Sequence, residues 1–353
     1  MKPLVLRADN FTPPTRTPWG GRRILGHYKA GLGLGGGLGG AEPVVGESWE
    51  VSVEPDFPSR LQGGDVTLAE TIAAAPADWL GDEVAGRYDG QTPLLVKLLD
   101  SADNLSVQVH PADGDPALAE GESGKPESWL VLEADPGSGL YLGFADGVGR
   151  RDVQRCIDED GPLDRLLNFV EVAPGDVFVI RAGSAHAIGR GVTLVEPQFV
   201  APGRRGITYR YWDWNRRYDA LGHLDPAGEP RALHLARSLE VTDWDGPRGA
   251  AFVAQCRPEV PVLSAGDVTR RRLVGWQWFV VEQWQGDGAL EVDPPGTMWA
   301  ITCVEGRAVV TAGDGEVVVR RGESCVVPAA AGALEARLEA GRLIATRSCV
   351  GGV

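Results

Sequence analysis

Short runs that alternate or stay apolar, each closed by glycine, proline or a polar turn, dominate this chain and constrain its fold more than any other feature. PLLVKLLD (93–100), LSVQVHP (105–111), SWLVLEA (128–134), LYLGF (140–144), GDVFVIRAG (175–183), GVTLVEPQ (191–198) and ITYRYWDW (207–214) all read as strands. The 48 glycines and 25 prolines supply the turns between them. Helical signals are few. Thr67 and Glu70 form a capping box ahead of an apolar stretch. Residues 151–170 read as two short helices broken at Gly161-Pro162, and RALHLARSLEV (231–241) has helical periodicity. The expected class is all-β dominated, with a few short helices. At 353 residues, two domains are affordable.

A formal charge of −15 with no basic stripe argues against nucleic acid as partner. An anionic small substrate would need a local cluster of Arg and Lys against that field. Cys156, Cys256, Cys303, Cys325 and Cys349 are odd in number and lack CxxC spacing, as expected of reduced thiols that pack. The N-terminus lacks an apolar leader, and the longest apolar stretch is interrupted by Lys97. The expectation is a soluble cytoplasmic protein without a membrane partner. GLGLGGGLGG (31–40) contains G-x-G-x-x-G at Gly31, Gly33 and Gly36, but strand and turn follow it rather than helix, so a surface loop is expected. GESGKPES (121–128) fails as a phosphate loop, because its glycine spacing is wrong and Pro126 follows the lysine.

The chain then starts again. GDVFVIRAGSAH (175–186) and GESCVVPAAAGA (322–333) share a frame of glycine, acidic residue, apolar strand and small-residue turn. The first ends on His186 and the second on Ala333 at the same offset. We expect two copies of one β-barrel unit, the second without its metal-binding imidazole. The boundary is placed near WDGPRG (244–249), giving a metal-binding domain over 1–245 and a degenerate one over 250–353.

In LSVQVHP, Ser106, Gln108 and His110 share a face opposite Leu105, Val107 and Val109. Glu127 precedes one strand and His186 ends another. Two imidazoles, a carboxylate and an amide oxygen suit a borderline divalent cation with an open position. A lone buried histidine is more often a hydrogen-bonded core residue; it is the set that points to a metal. His27, His223 and His234 lack such partners and read as structural or surface residues.

G-x5-[P]-x-G-x2-H, the second cupin motif, reads here as Gly175, Arg181 in the proline position, Gly183 and His186. LSVQVHP, GKPESW, GDVFVIRAGSAHAIG, EPQ and TYRYWDWNR together resemble the type I phosphomannose isomerases. PWGGRRI, GESWEVS and RALHLARSL extend the resemblance over most of 15–240, and the tail fits the family's second, non-catalytic cupin in pattern. The resemblance implies two cupin-type (jelly-roll) barrels and one Zn2+ per chain, with Gln108, His110, Glu127 and His186 as ligands. It further implies Arg210 near the reacting carbons, Lys125 and Ser106 toward the substrate, and Lys97 and Glu196 lining the pocket. Arg181 departs from the motif. The loop FVAPGRRGI (199–207) is longer than the family's; its Arg204 and Arg205 are read as solvent-exposed. Trp212 and Trp214 fit either a sugar pocket or barrel packing.

The implied reaction interconverts mannose 6-phosphate and fructose 6-phosphate through an enediol(ate), which needs a base and a charge stabiliser. The base is Lys125 if its neighbours, the metal included, depress its pKa toward neutrality. Glu196 is the rival, and a metal-bound hydroxide a third choice. Phosphate binding should draw on Arg and Lys. Two other readings stay open: an iron dioxygenase or another metal-dependent sugar enzyme on the same barrel, and a non-catalytic sugar-binding cupin. The cations in KPE and TYR favour a phosphosugar as partner. The chain is expected to be a monomer or weak homo-oligomer.

Overall fold

Leu94–Asp100 and Val192–Phe199 run antiparallel with Lys97 opposite Glu196, and they carry the first sheet of the fold. The structure, a computed structural model, describes residues 1–34 and 44–349. In that five-stranded sheet the order is Glu47–Val51, Leu94–Asp100, Val192–Phe199, Glu127–Ala134 and Val177–Ile180. Leu94–Asp100 is buried along its whole length, which is why it reads as a nearly continuous apolar run rather than an alternating one. A second five-stranded sheet has the order Tyr209–Trp212, Val107–Val109, His186–Ile188, Gly139–Phe144 and Leu167–Glu171. The two share one core, in which Trp129, Phe178, Ile180 and Leu194 of the first meet Leu140, Leu142 and Ile188 of the second. Each such side chain contributes about 1.5–3 kcal/mol by leaving water.

The C-terminal part forms an eight-stranded sheet built on Phe279–Val292, Trp299–Ala312 and Leu334–Ser348. Its own cluster is filled by Trp284, Trp299, Ile301, Val310 and Leu343. The first strand of the chain, Leu4–Val5, joins this sheet opposite Val326 and Cys325. Another apolar cluster unites Val96 and Leu98 with Leu273, Phe279, Met298 and Ile344. At the same junction Lys29 Nζ meets Glu50 Oε1 at 2.7 Å in full burial, and Ser324 Oγ donates to Glu50 Oε2 at 3.0 Å. The two segments that share a frame fold alike. One is Val177–Ile180, a turn and His186–Ile188; the other is Ser324–Val327, a 3-10 turn at Ala329–Ala331 and Leu334–Ser348.

The capping box at Thr67 is formed: Glu70 N donates to Thr67 Oγ1 (3.1 Å) and Thr67 N to Glu70 Oε2 (2.8 Å), opening the helix Leu68–Ala74. Elsewhere tertiary contacts override local pattern. Arg150–Asp158 is helical, but only a 3-10 turn, Leu163–Leu166, follows Gly161-Pro162, and Leu167–Glu171 pairs into the second sheet. In 231–241 the helix is Leu235–Val241 alone, because the main chain of His234 is bonded to Arg210. Pro76–Arg87 holds two helical segments that meet at a kink at Gly81 (φ +74°), and that glycine hides them in the sequence. Helix Gly249–Cys256 begins where a linker is expected, and Phe252, Val253 and Cys256 pack on the core between the sheets. The third glycine of G-x-G-x-x-G, Gly36, lies outside the described residues. No helix among the described residues is long and apolar enough to cross a membrane.

Candidate metal centre

Gln108 stands in register between Arg210 on one neighbouring strand and His186 on the other, so three inward side chains form one row across the sheet. The turn that delivers His186 is tied to His110 directly: the Gly183 amide donates to the His110 carbonyl at 2.9 Å. Gly183 holds φ at +77°, and a Cβ there would come within 2.9 Å of the Asp243 amide, so glycine is required. His186 is the first residue of its strand rather than the last of the preceding one, and Glu127 is the first residue of its own.

His110, Glu127 and His186 are fully buried, and their ligand atoms all lie within 4.8 Å of one another. His110 Nε2 is 3.4 Å from Glu127 Oε2, and His186 Nε2 is 3.3 Å from Glu127 Oε1. Each Nδ1 is committed elsewhere: His110 donates to the Ile207 carbonyl (3.0 Å) and His186 to the Ser184 carbonyl (2.9 Å). That leaves both Nε2 lone pairs aimed at the common centre. His110 Nε2 and Glu127 Oε1 are buried with no hydrogen-bond partner in the protein. Orphaned acceptors of this kind, on an imidazole and a carboxylate beside a second imidazole, fit a divalent cation. Gln108 brings its amide to 3.3 Å from His186 Nε2, and Gln198 donates to Glu127 Oε2 at 2.7 Å.

Burial first, and then the Lys125 charge, hold His110 down at about 3. Burial would raise the Glu127 carboxyl, but Lys125 and His110 outweigh it and keep it well below the usual range. Burial would likewise lower Lys125, yet in the metal-free site Glu127, Glu196 and Glu47 raise it. Glu196 is pushed up to about 8, by burial and then by Glu127. Trp129 Nε1 donates to its Oε1 at 2.9 Å.

A cavity of about 300 Å³ opens beside the triad. Three of its lining residues, Gln108, Lys125 and Gln198, reach the triad; Lys125 Nζ is 3.4 Å from Glu127. Ser106, Lys97, Glu196 and Arg210 also line it, so every candidate substrate-side residue meets in one space. Leu105, assigned by alternation to the opposite face, lines it too, because the regular strand starts only at Val107. Arg16, Lys97, Lys125, Arg205, Arg210 and Arg231 outnumber Glu47, Glu54 and Glu196 around the cavity, a local cationic surplus in an acidic protein.

Sequence reasoning missed Arg16, Glu47, Trp49, Glu54, Gln198 and Arg231. Alternation in EPQ could have found Gln198 with Glu196. Arg204 and Arg205 are exposed, and Arg205 reaches the cavity rim. Arg181 is exposed. Trp212 and Trp214 stack on each other inside an apolar cluster, which makes them packing residues. His27 pairs with Glu133, His223 with Asp219, and His234 with the Arg210 amide.

Two family models match the chain. Residues 38–128 match the type I phosphomannose isomerase catalytic domain, and residues 270–346 the mannose-6-phosphate isomerase cupin domain. Gln108, His110, Lys125 and Glu127 fall inside the first match; His186, Glu196 and Arg210 lie beyond it. A mannose-6-phosphate isomerase of Streptococcus mutans is 29% identical over 88% of each chain. One of Bacillus subtilis is 29% identical over 80% of this chain and 84% of its own. A solved mannose 6-phosphate isomerase from Bacillus subtilis superposes with TM-score 0.79 at 23% identity, covering 98% of this chain and 100% of that one. One from Salmonella typhimurium, bound to fructose 6-phosphate and zinc, gives 0.70 at 17% identity, covering 99% and 100%. At these identities the solved structures speak for the fold.

Proposed function

Because the chain belongs to the type I phosphomannose isomerases, we propose that its cavity interconverts mannose 6-phosphate and fructose 6-phosphate with one zinc ion per chain, held by His110, Glu127, His186 and Gln108. The observation that carries the reading is the pair of Nε2 atoms converging on one carboxylate beside a cation-rich cavity. Bound there, zinc supplies Lewis acidity toward the sugar oxygens and orients them.

The rest is the work of side chains. Isomerisation takes a proton from one of C1 and C2 and returns it to the other. Glu196 is the base: its carboxyl, raised to about 8, is basic enough to accept a carbon-bound proton and is fixed by the Trp129 indole. Lys125 stays an ammonium among three carboxylates and donates to a sugar oxygen. Arg210, next to Gln108 in the sheet, anchors the negative charge of the substrate. Ser106 and Lys97 bind sugar hydroxyls from the cavity wall. Residues 1–245 contain this machinery, and 250–353 form a unit whose interior is filled by apolar side chains.

Mannose 6-phosphate, other phosphosugars and free aldoses, assayed for aldose–ketose conversion before and after chelation, test the proposal. Conversion of mannose 6-phosphate that is lost on chelation and restored by zinc supports it. No turnover of any sugar by zinc-replete protein refutes it.

A further inference from the structure

Two guanidinium groups of the cavity keep nitrogen atoms that nothing in the protein satisfies. Arg210 spends Nη1 on the Ala232 carbonyl at 2.8 Å, while its Nε is buried without a partner. Arg231 Nη1 forms an ion pair with Asp213 Oδ1 at 3.6 Å, but that nitrogen is buried and makes no hydrogen bond. The Asp213 Oδ1 that faces Arg231 also accepts from Arg216 Nη2 at 2.6 Å, while its Oδ2 is buried without a hydrogen-bond partner. With Asp103, which accepts from Arg216 Nη1 at 2.9 Å, two carboxylates stand among three guanidinium groups. Buried donors left unmade are costly, and two adjacent like charges add to that cost.

The arrangement is built rather than incidental. The Arg210 amide donates to His234 Nδ1 at 3.1 Å, and the His234 amide donates to the Arg210 carbonyl at 2.8 Å. With the Ala232 contact, these bonds pull residues 231–234 off the following helix and seat Arg231 beside Arg210. The other cations of the cavity are occupied or outside. Lys97 lies 3.8 Å from both Glu47 and Glu196, and Lys125 is held by Glu127. Arg16 is exposed and stacked on Trp49 and Phe57, and Arg205 is exposed.

We propose that Arg231, acting with Arg210, anchors the phosphate of the sugar and is the residue by which the site distinguishes a phosphorylated sugar from a free one. The proposal rests on the phosphosugar reading above. A phosphate dianion offers several acceptors to two planar forks and neutralises the surplus charge that Asp213 and Asp103 leave.

The test uses full-length, zinc-loaded protein, Arg231→Gln and Arg231→Lys. Binding of inorganic phosphate is measured by calorimetry, and kcat and KM are measured with mannose 6-phosphate and with mannose. Arg231→Gln should weaken phosphate binding and raise KM for mannose 6-phosphate by about 10- to 100-fold, with a penalty on mannose smaller by about 10-fold or more. Arg231→Lys, which keeps the charge but loses the fork, should fall between. Should the glutamine variant not fold, the lysine variant decides alone: weaker phosphate binding supports the anchor, and unchanged binding overturns it. Phosphate affinity and KM within about twofold of wild type, or equal penalties on both sugars, also overturn it. If wild type binds inorganic phosphate through Arg231 yet leaves mannose 6-phosphate unconverted, the isomerase reading fails and the anchor stands.

Discussion

His110 and His186 approach the same carboxylate from its two oxygens, at 3.4 and 3.3 Å from Glu127, with their rings 4.8 Å apart. The strands that carry them are distant in sequence, and the Gly183 amide on the His110 carbonyl joins them. Without an ion, Glu127 also compensates the buried Lys125 ammonium.

Glu127→Ala should therefore fail twice. Activity should fall by more than about 100-fold as metal affinity is lost. The chelated protein should lose about 1–3 kcal/mol, because the largely buried Lys125 loses its nearest partner. Urea unfolding of chelated wild type and variant measures the second effect.

Glu196 gives the chelated protein a pH signature. Its folded-state value, about 8, lies above its ordinary value of 4.5, so the folded state holds this proton more tightly than the unfolded state. That contribution is complete below pH 4.5 and is lost as pH rises to about 8. Glu196→Gln should remove a decline on the order of a few kcal/mol across this window. Urea midpoints taken pH by pH in chelated protein check it.

Trp129 positions Glu196 through its indole N–H. Trp129→Phe keeps most of the packing and deletes the donor. We expect kcat to fall about 10-fold with a smaller change in KM, and an altered pH profile of kcat. Steady-state kinetics across pH separates this from a loss of folded protein.

The junction between the two parts of the chain contains its own buried pair. Glu50→Ala strands Lys29, which is fully buried, and should cost about 3–5 kcal/mol. Ser324→Ala removes only one hydrogen bond to Glu50 and should cost about 1 kcal/mol. Denaturant unfolding of both variants checks the ranking.

The strands were legible because period-two runs report which face is buried, and Gln108 and His110 stood out as polar residues on such a face. His186 was marked by its small-residue turn. Arg231 was not legible: RALHLARSL has helical periodicity, and only Arg210, distant in sequence, pulls the first four residues away from the helix. The pairing of Leu4–Val5 with Val326 and Cys325 is equally non-local. Glu47 and Trp49 lay in a recognised segment, but their strand is buried on both faces except at Glu47, so the pocket side is not marked by polarity.

The central claim is that one ion is held between His110, Glu127 and His186. Zinc titration of chelated wild type and His186→Ala, with bound metal counted by elemental analysis, tests it most directly. One tightly bound zinc per wild-type chain, and loss of that site in the variant, are expected. Equal zinc binding by both proteins, or no binding by wild type, would contradict it.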